Sequence, residues 1–388
     1  MLRLKNLLVL GGCGLIGSEV VKDLAATSEF ETITVADGNY EEALALVESL
    51  GDDRFSARKV EIRNKEEVVA LMKDGFDLVC NCLPFEFDTY INQCCVDAEI
   101  TGTDLGATKD QLAMNDLLEE KGLLFVVCDG ISPGTSNMIA AYANQKLDRL
   151  DEVHIAFASF RAIQTAPGLV RTTLWELDPN EGGRSYYADG KQHYVGPFSG
   201  EKIVNFPEPF GPQPAYYVPH NEVYTIPMTI PTVKTCTIRG AWTPRQHRML
   251  KFLNDYGFFT TPPVKVGDTE IAPIDFMEKF IFANDDFKKE EVWGFSLVVD
   301  CKGILNGEEV TLEFYTKTPG QEEWGEIASY ARSTACSMSV GVQLLAKGID
   351  QVGIRTPDQV YDPEEYMAEL KKRGVVLHER KGMFGLPE

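Results

Sequence analysis

Residues 7–17 have the sequence LLVLGGCGLIG, and this stretch decides the fold of the first part of the chain. Its apolar start predicts a buried β-strand, and three glycines follow with the GxGxxG spacing that leads from such a strand into a helix. The first glycine permits a tight turn, the second lets the backbone approach a pyrophosphate, and the third lets the helix pack closely. The helix N-terminus adds free N–H groups and the positive end of its dipole. We therefore predict that a dinucleotide binds at Gly12, Gly14, Leu15, Ile16 and Gly17.

An acidic residue ends the next predicted strand. Residues 32–37 have the β-branched sequence TITVAD, so Asp37 stands where a carboxylate of this motif accepts hydrogen bonds from ribose hydroxyls. The same negative charge repels the 2′-phosphate of NADP, and no arginine follows at positions 38–40 to bind that phosphate. The sequence therefore predicts NAD as the cofactor, in preference to NADP.

Predicted strands and helices alternate from residue 7 to residue 128, which is the pattern of a parallel sheet with right-handed crossovers. Ligands of such sheets bind outside the carboxyl ends of the strands. Cys82 ends the fourth predicted strand and Leu83 and Pro84 follow it, so we expect all three beside the nicotinamide. Asp104 and Asp129 follow the fifth and sixth, so each is either a general base near the nicotinamide or a structural turn or cap residue.

The pattern changes after Asp129, and the rest of the chain predicts an α+β domain with a mostly antiparallel sheet. Asn306-Gly307 between two strand-like runs is a strong hairpin signal. Residues 165–231 are rich in proline and glycine, and long segments of this kind usually carry function or an interface. We predict an α/β Rossmann domain at 1–130, an α+β substrate-binding and dimerisation domain at 131–350, and a closing segment at 351–388 whose strand Val375–Leu377 packs on the first domain.

Composition and charge exclude several classes of partner. The formal net charge is −22, which argues against nucleic acid or an anionic membrane surface. No apolar run reaches the ~18 residues of a membrane helix, so we expect a cytoplasmic protein. Its nine cysteines are expected to be reduced. Four of them cluster in the sequence without the spacing of a zinc site, and we expect no metal: Cys80, Cys82, Cys94 and Cys95.

The chain resembles the saccharopine dehydrogenase family over nearly its whole length, and within it the lysine 6-dehydrogenases. The resemblance implies hydride transfer between a nicotinamide and a carbon that bears an amino group, with an amino acid or amine as substrate and a homodimer as the assembly. It rests on residues 11–17 (GGCGLIG), 81–85 (NCLPF), 103–106 (TDLG), 128–134 (CDGISPG), 331–335 (ARSTA) and 366–375 (YMAELKKRGV).

Three functions follow from this resemblance and from the dinucleotide motif. The first is oxidative deamination of lysine at its terminal carbon. The second is reductive condensation of an aldehyde with an amine, as in the formation of saccharopine or carboxynorspermidine. The third is a dinucleotide-binding protein without catalysis.

Oxidation of a C–N bond needs a proton acceptor and a cation that holds the substrate carboxylate. His220, in the proline- and glycine-rich stretch, is a third candidate base beside the two aspartates, although a solvated loop histidine is the alternative. Arg171 and Arg239 are the expected carboxylate anchors, and a surface position is the alternative for each. Trp175 is expected to form an apolar wall of the pocket, and Asn137 is expected to contact the substrate.

Overall fold

The computed structural model describes residues 3–164, 166–180, 183–289 and 294–380. Its strands are β1 (Asn6–Leu10), β2 (Thr32–Asp37), β3 (Phe55–Lys59), β4 (Leu78–Asn81), β5 (Thr101–Thr103), β6 (Leu124–Val126), β7 (Arg149–Phe160), β8 (Ser185–Ala188), β9 (Lys191–Tyr194), β10 (Lys202–Asn205), β11 (Pro212–Tyr217), β12 (Thr235–Ala241), β13 (Val264–Val266), β14 (Thr269–Ile271), β15 (Gly294–Leu305), β16 (Glu308–Lys317), β17 (Gly353–Arg355) and β18 (Val376–Glu379).

The helices begin mostly where the sequence places capping residues or proline. Asn39 caps its helix by accepting the N–H of Glu42, and Asp362 caps another by accepting the N–H of Glu365. The helices are α1 (Leu15–Thr27), α2 (Tyr40–Leu50), α3 (Lys65–Met72), α4 (Asp88–Ala98), α5 (Lys109–Ala113), α6 (Asn115–Lys121), α7 (Thr135–Lys146), α8 (Pro167–Glu176), α9 (Glu222–Thr229), α10 (Pro244–Asp255), α11 (Pro273–Ala283), α12 (Gln321–Trp324), α13 (Glu326–Leu345), α14 (Pro357–Val360) and α15 (Pro363–Lys372).

The described residues divide into two compact units whose boundaries differ from the predicted ones. Unit 1 combines residues 1–138 with 331–373, and unit 2 combines residues 139–330 with 374–388. The closing helix α13, which the sequence analysis assigned to the second domain, therefore belongs to unit 1 from Ala331 onward. The chain crosses between the units three times, and a division at single points along the sequence could not describe this.

Unit 1 contains a parallel sheet with the strand order β17-β6-β5-β4-β1-β2-β3. The side chains of Leu7–Leu10 in β1 are fully buried, because a central parallel strand is covered on both faces. Strand order reverses beside β1, with β2 on one side and β4 on the other, and ligands of such sheets bind at this switch point. The Rossmann prediction is confirmed.

The closing segment is shared between two sheets. Gly353–Arg355 forms β17, which pairs in parallel with β6 of unit 1. Val376–Glu379 forms β18, which pairs antiparallel with β16 of unit 2. The prediction that Val375–Leu377 packs on the first domain is therefore wrong. A short strand can join either sheet edge, and its sequence does not specify which one.

Unit 2 contains a sheet with the order β10-β11-β12-β7-β15-β16-β18, with the hairpin β8–β9 beside β12. Its neighbours pair antiparallel except β12 and β7, which confirms the mostly antiparallel α+β prediction. Asn306 and Gly307 turn between β15 and β16 with φ of 54° and 83°, as the hairpin signal predicts. The first of the two strand-like runs that flank this turn spans residues 292–301 of the sequence, and its first two residues lie outside the described residues.

The proline- and glycine-rich stretch at 165–231 is more regular than its composition suggests. It contains α8, α9 and strands β8 to β11. Asp189 and Gly190, both with positive φ, make the turn of the hairpin β8–β9. Asp-Gly between two short strands is a hairpin signal that sequence reasoning missed.

Candidate active site

The turn between β1 and α1 has no room for a side chain at two of its glycines and more room at a third. A Cβ at Gly17 would collide with the carbonyl oxygen of Gly11, and a Cβ at Gly12 would lie 2.7 Å from a methyl group of Val35. A Cβ at Gly14, the N-cap of α1, would meet within 4 Å only the Gly11 oxygen, at 3.2 Å, among the described atoms. The open side of Gly14 and the N–H groups of the helix start fit a pyrophosphate. The residues predicted to hold it are brought together here: Gly12, Gly14, Leu15, Ile16 and Gly17.

The carboxylate of Asp37 lies beside this turn. Its Oδ2 accepts the backbone N–H of Cys13 at 3.4 Å, and its Oδ1 accepts that of Asn39 at 3.0 Å. β2 pairs with β1, so the end of β2 and the glycine turn lie at the same sheet edge. A carboxylate held here can accept hydrogen bonds from ribose hydroxyls.

The predicted nicotinamide side of the site follows β4. The backbone N–H of Cys82 donates to Leu10 O at 2.9 Å, which ties this loop to the end of β1. A methyl group of Leu83 lies 3.0 Å from the position of a Cβ at Gly11, and Pro84 precedes the short helical turn Phe85–Phe87. The structure thus places Cys82 and Leu83 against the glycine turn, where they could contact a bound dinucleotide.

Asp129 is enclosed by its own unit. Its side chain is fully buried, and its Oδ2 accepts the hydroxyl groups of Tyr361 at 3.1 Å and Thr103 at 3.0 Å. Gly341 of α13 packs directly on this carboxyl group, because a Cβ there would collide with both oxygens. Burial raises the pKa of Asp129 to about 7. These contacts favour the structural role that the sequence analysis gave as the alternative to a general base.

Asp104 is enclosed in the same way. Its side chain is fully buried, and its Oδ2 accepts the amide of Gln111 at 2.6 Å. Burial, reinforced by the nearby Asp88, raises the pKa of Asp104. Burial also raises the pKa of Asp88 to about 8. Burial of the Asp104 carboxyl group favours the structural role that the sequence analysis gave as the alternative to a general base.

Asn137 holds the loop that follows β6. It is fully buried, and its Oδ1 accepts the backbone N–H of Gly134 at 3.3 Å. The neighbouring Thr135 exchanges 2.9 Å hydrogen bonds with Ser337 and Tyr366. Asn137 thus shapes the loop, and the expected contact with substrate finds no support in its position.

His220 lies between two glutamates in unit 2. Its Nδ1 is 3.5 Å from Glu222 Oε2 and its Nε2 is 4.0 Å from Glu176 Oε1, and its ring packs on Phe157 at 5.2 Å. Burial lowers the pKa of His220, but the ion pair with Glu222 and the charge of Glu176 outweigh burial and raise it. His220 is therefore no solvated loop residue, and its imidazolium can donate a proton or bind an anion.

Two arginines lie near Glu176. Burial raises the pKa of Glu176, and the charges of His220, Arg161 and Arg184 oppose that rise. Arg161 donates to Thr173 Oγ1 at 3.1 Å, and Arg184 donates to the carbonyl oxygen of Glu176. We call His220, Glu176, Glu222, Arg161 and Arg184 the His220 cluster.

The expected carboxylate anchors are already engaged by the protein. Arg171 forms ion pairs with Asp275 at 2.6 Å and Glu278 at 3.5 Å, both on α11. Arg239 donates to Gly200 O at 2.8 Å, and also to hydroxyl groups of neighbouring strands. Every nitrogen of the Arg239 guanidinium thus already donates to the protein, whereas Arg171 meets both acids through Nη1 alone. Arg171 therefore stays a predicted anchor.

Trp175 lies in α8 immediately before Glu176 and is partly buried. The sequence singled out Trp175 and His220, yet it missed Glu176 and Glu222, their acidic neighbours. The positions of these two glutamates close to Trp175 and His220 in the sequence could have marked them as candidate site residues. Nothing in the sequence, however, indicated that positions 176 and 220 lie side by side.

Within the described ranges, no three His, Cys, Asp or Glu side chains converge to hold a metal ion. In the same part of the chain, no helix is long and apolar enough to cross a membrane.

Two family models cover almost the whole chain. The saccharopine dehydrogenase NADP binding domain matches residues 7–126, and the saccharopine dehydrogenase C-terminal domain matches residues 130–375. This chain belongs to the saccharopine dehydrogenase family. The family consists of dehydrogenases acting on amino-acid or amine substrates, and the matched first domain binds a nicotinamide dinucleotide. When bound, the nicotinamide ring accepts or gives up a hydride.

Two relatives match this family member over its length. A carboxyaminopropylagmatine dehydrogenase from Synechocystis sp. is 23% identical over 387 residues, which cover 95% of this chain and 96% of that protein. The apo saccharopine dehydrogenase (L-Glu forming) from Saccharomyces cerevisiae shares the fold with a TM-score of 0.71 at 16% identity, over 97% of this chain and 99% of the other.

Proposed function

We propose that this dehydrogenase uses NAD to oxidise a secondary amine, in which one nitrogen joins an amino acid to a second chain. The balanced reaction consumes the secondary amine, NAD⁺ and water, and yields an amine, a carbonyl compound, NADH and a proton. The reverse direction is the reductive condensation of a carbonyl compound with an amine. NAD is preferred because Asp37 stands beside the glycine turn and no arginine follows it.

The observation that carries the proposal is the partly exposed pair formed by His220 and Glu176. Their side chains are 15% and 16% exposed, whereas Glu222 is fully buried. A substrate can therefore reach the first two, and Glu222 acts from behind by raising the pKa of the imidazole.

These positions divide the chemical work between two groups. The substrate nitrogen must lose its proton before the C–N bond is oxidised, because a protonated nitrogen has no lone pair to assist. Glu176, whose pKa burial raises, suits a proton acceptor at neutral pH. The His220 imidazolium supplies the positive charge that a substrate carboxylate needs, in place of Arg239.

The names of the relatives favour a substituted amine over free lysine. Carboxyaminopropylagmatine describes agmatine that carries an amino-acid chain, and the yeast protein is named as forming glutamate. Oxidative deamination of lysine, the first expectation from the sequence, remains the competing function that the experiment below separates.

A substrate screen with product analysis tests the proposal. The purified protein is incubated with NAD or NADP and with carboxyaminopropylagmatine, saccharopine, carboxynorspermidine or lysine. We expect cofactor reduction with a secondary amine and release of an amine without ammonia. Ammonia released from lysine, with no reaction on any secondary amine, would establish lysine oxidation instead.

A second experiment tests the role of His220 on whichever substrate reacts. His220→Gln should lower kcat/KM by roughly 100- to 1000-fold and change the pH profile, because the imidazolium is lost. Binding of NAD should stay unchanged, because its residues lie in unit 1. His193→Gln is the matched control, a unit 2 histidine that stacks on Tyr186 at 4.9 Å. Equal losses in both variants would exclude a specific role for His220.

A further inference from the structure

A second carboxylate reaches the turn that holds Asp37. Asn39 caps α2 by accepting the backbone N–H of Glu42 at 3.4 Å, which fixes Glu42 in the first turn of the helix. From there the Glu42 side chain points back to the glycine turn, with Oε2 3.9 Å from Cys13 Sγ. Cys13 stands between Gly12 and Gly14, and its backbone N–H donates to Asp37. Two carboxylates therefore contact the same residue of the turn, one at its backbone and one at its thiol.

Both carboxylates affect the pKa of the Cys13 thiol. Burial, the hydrogen bond and charge of Asp37, and the charge of Glu42 together raise the pKa of Cys13 to about 12. The thiol is accordingly neutral and adds no charge of its own. The nearby cation on the neighbouring strand is Lys59, in register with Asp37, and in the described part of the chain no ion pair joins the two. The edge of the turn is thus dominated by negative charge.

We propose that Glu42 is a second specificity-determining residue, which excludes NADP from this site together with Asp37. A 2′-phosphate carries about 1.5 to 2 negative charges, and the ribose that bears it is expected at Asp37. Asp37 acts on both cofactors, because it also accepts hydrogen bonds from the ribose of NAD. Glu42 acts on NADP alone, through charge. The inference rests on the proposed NAD preference and makes no assumption about the amine substrate.

Binding of each cofactor to the full-length protein, measured by titration calorimetry without any amine, tests this role. Glu42→Gln should tighten NADP binding by roughly 5- to 50-fold, the range expected for removing one like charge from the neighbourhood of a phosphate group. NAD binding should change by less than about twofold. The cap on α2 uses the backbone N–H of residue 42, so the variant should fold normally, and its thermal unfolding checks this.

Three comparisons complete the test. Glu41→Gln removes the same charge one residue earlier in the same turn of the helix. The affinities for NAD and NADP should both stay within about twofold of the wild type. Asp37→Asn should weaken the binding of NAD, whereas Glu42→Gln should not. Salt screens the repulsion between exposed charges. Rising salt should therefore reduce the preference for NAD over NADP more in the wild type than in Glu42→Gln.

The inference is overturned if Glu42→Gln leaves the ratio of the two affinities within about twofold, or if Glu41→Gln shifts it equally. It is also overturned if Lys59→Gln abolishes NADP binding in a protein that binds NADP tightly, because Lys59 would then receive the phosphate. A protein inactive on every amine but with the expected affinity ratios would refute only the proposed function.

Discussion

At the scale of single residues, two glycines three positions apart have different tasks. Gly17 allows α1 to pack on the turn, because any Cβ there would meet the Gly11 carbonyl and lie 2.8 Å from Gly12 Cα. A Cβ at Gly14 would meet only the Gly11 oxygen, at the longer distance of 3.2 Å, so the lack of a side chain there serves an approaching ligand more than the fold. The GxGxxG spacing is shared by both tasks, and the structure separates them.

This separation predicts different outcomes for two alanine variants. Gly17→Ala should lower the free energy of unfolding by about 1–3 kcal/mol, because backbone atoms must move, and should weaken NAD binding as well. Gly14→Ala should leave thermal unfolding nearly unchanged and still weaken NAD binding at least about tenfold. Unfolding scans and calorimetric titrations measure both effects. Equal destabilisation in the two variants would contradict the assignment.

Asp129 predicts a pH dependence of stability. Its pKa of about 7 in the folded protein lies above the ~3.9 of an unfolded chain. The folded state therefore keeps a proton that the unfolded state loses, so its stabilising effect is complete below about pH 4 and is lost as the pH rises through about 7. Asp129→Asn cannot titrate, and its amide oxygen can still accept from Tyr361.

Urea unfolding between about pH 5 and pH 8 measures this effect. The wild type should lose stability over this range, on the order of a few kcal/mol, and Asp129→Asn should lose less. The remaining slope in the variant should come partly from Asp88, whose pKa is raised to about 8. Exposed Asp53→Asn is the control and should follow the wild type. Parallel profiles for all three proteins would show that Asp129 does not titrate in this range.

At the scale of elements, helix α13 packs on the residues that follow β6 in the first sheet. Gly341 brings this helix onto the carboxyl group of Asp129, and Ser337 bonds to Thr135 at the start of α7. Arg332, near the start of α13, bonds to Glu19 of α1 at 3.0 Å. The small side chains of Gly341 and Ser337 thus allow α13 to pack closely within unit 1.

Gly341→Ala tests this packing. The added methyl group should cost about 1–3 kcal/mol of unfolding free energy, because it meets the carboxyl oxygens of Asp129. The cost should be smaller in an Asp129→Ala background, where the space is vacated, so the double-mutant cycle should show clear coupling. Additive losses would mean that Gly341 and Asp129 do not touch.

At the scale of the whole molecule, each unit is completed by a distant part of the chain. Residues 331–373 complete unit 1, and β18 completes the sheet of unit 2. Arg373 makes the last side-chain contact of unit 1 before this change of unit, at 2.8 Å from Asp23. The closing segment is therefore not one structural piece, contrary to the prediction from sequence.

Two truncations test this division. A chain ending at Arg373 loses β18 but should bind NAD within about twofold of the wild type, because unit 1 is complete. A chain ending at Asp350 also loses β17 and the buried Tyr361 and Tyr366, and should lose NAD binding at least about tenfold. Calorimetric titration of both proteins decides the matter. Equal loss of binding in the two truncations would favour the predicted single closing segment.

Much of the fold could be predicted because its signals are local. The strand β1, the glycine turn and the acid at the end of β2 lie within 37 residues, and each constrains its immediate neighbours. Asn306-Gly307 likewise specifies a turn without help from the rest of the chain. For the same reason, the residues predicted to hold the cofactor lie together at one turn.

The remainder depended on partners far apart in sequence. Asp129 had the position of a base at a strand end, and only the packing of Tyr361 and Gly341 buries it. Arg171 and Arg239 had the right chemistry for an anchor, and only the fold supplies the groups that engage them.

By itself, the sequence determined that this protein has a dinucleotide-binding Rossmann sheet followed by an α+β unit, because backbone periodicity, turn residues and glycine spacing act over a few residues. Only the tertiary structure decided that β17 and β18 join different sheets, and that His220 meets Glu176. Such contacts depend on which surfaces pack together, and the free energy of packing is shared among many residues, so no short stretch of sequence specifies it.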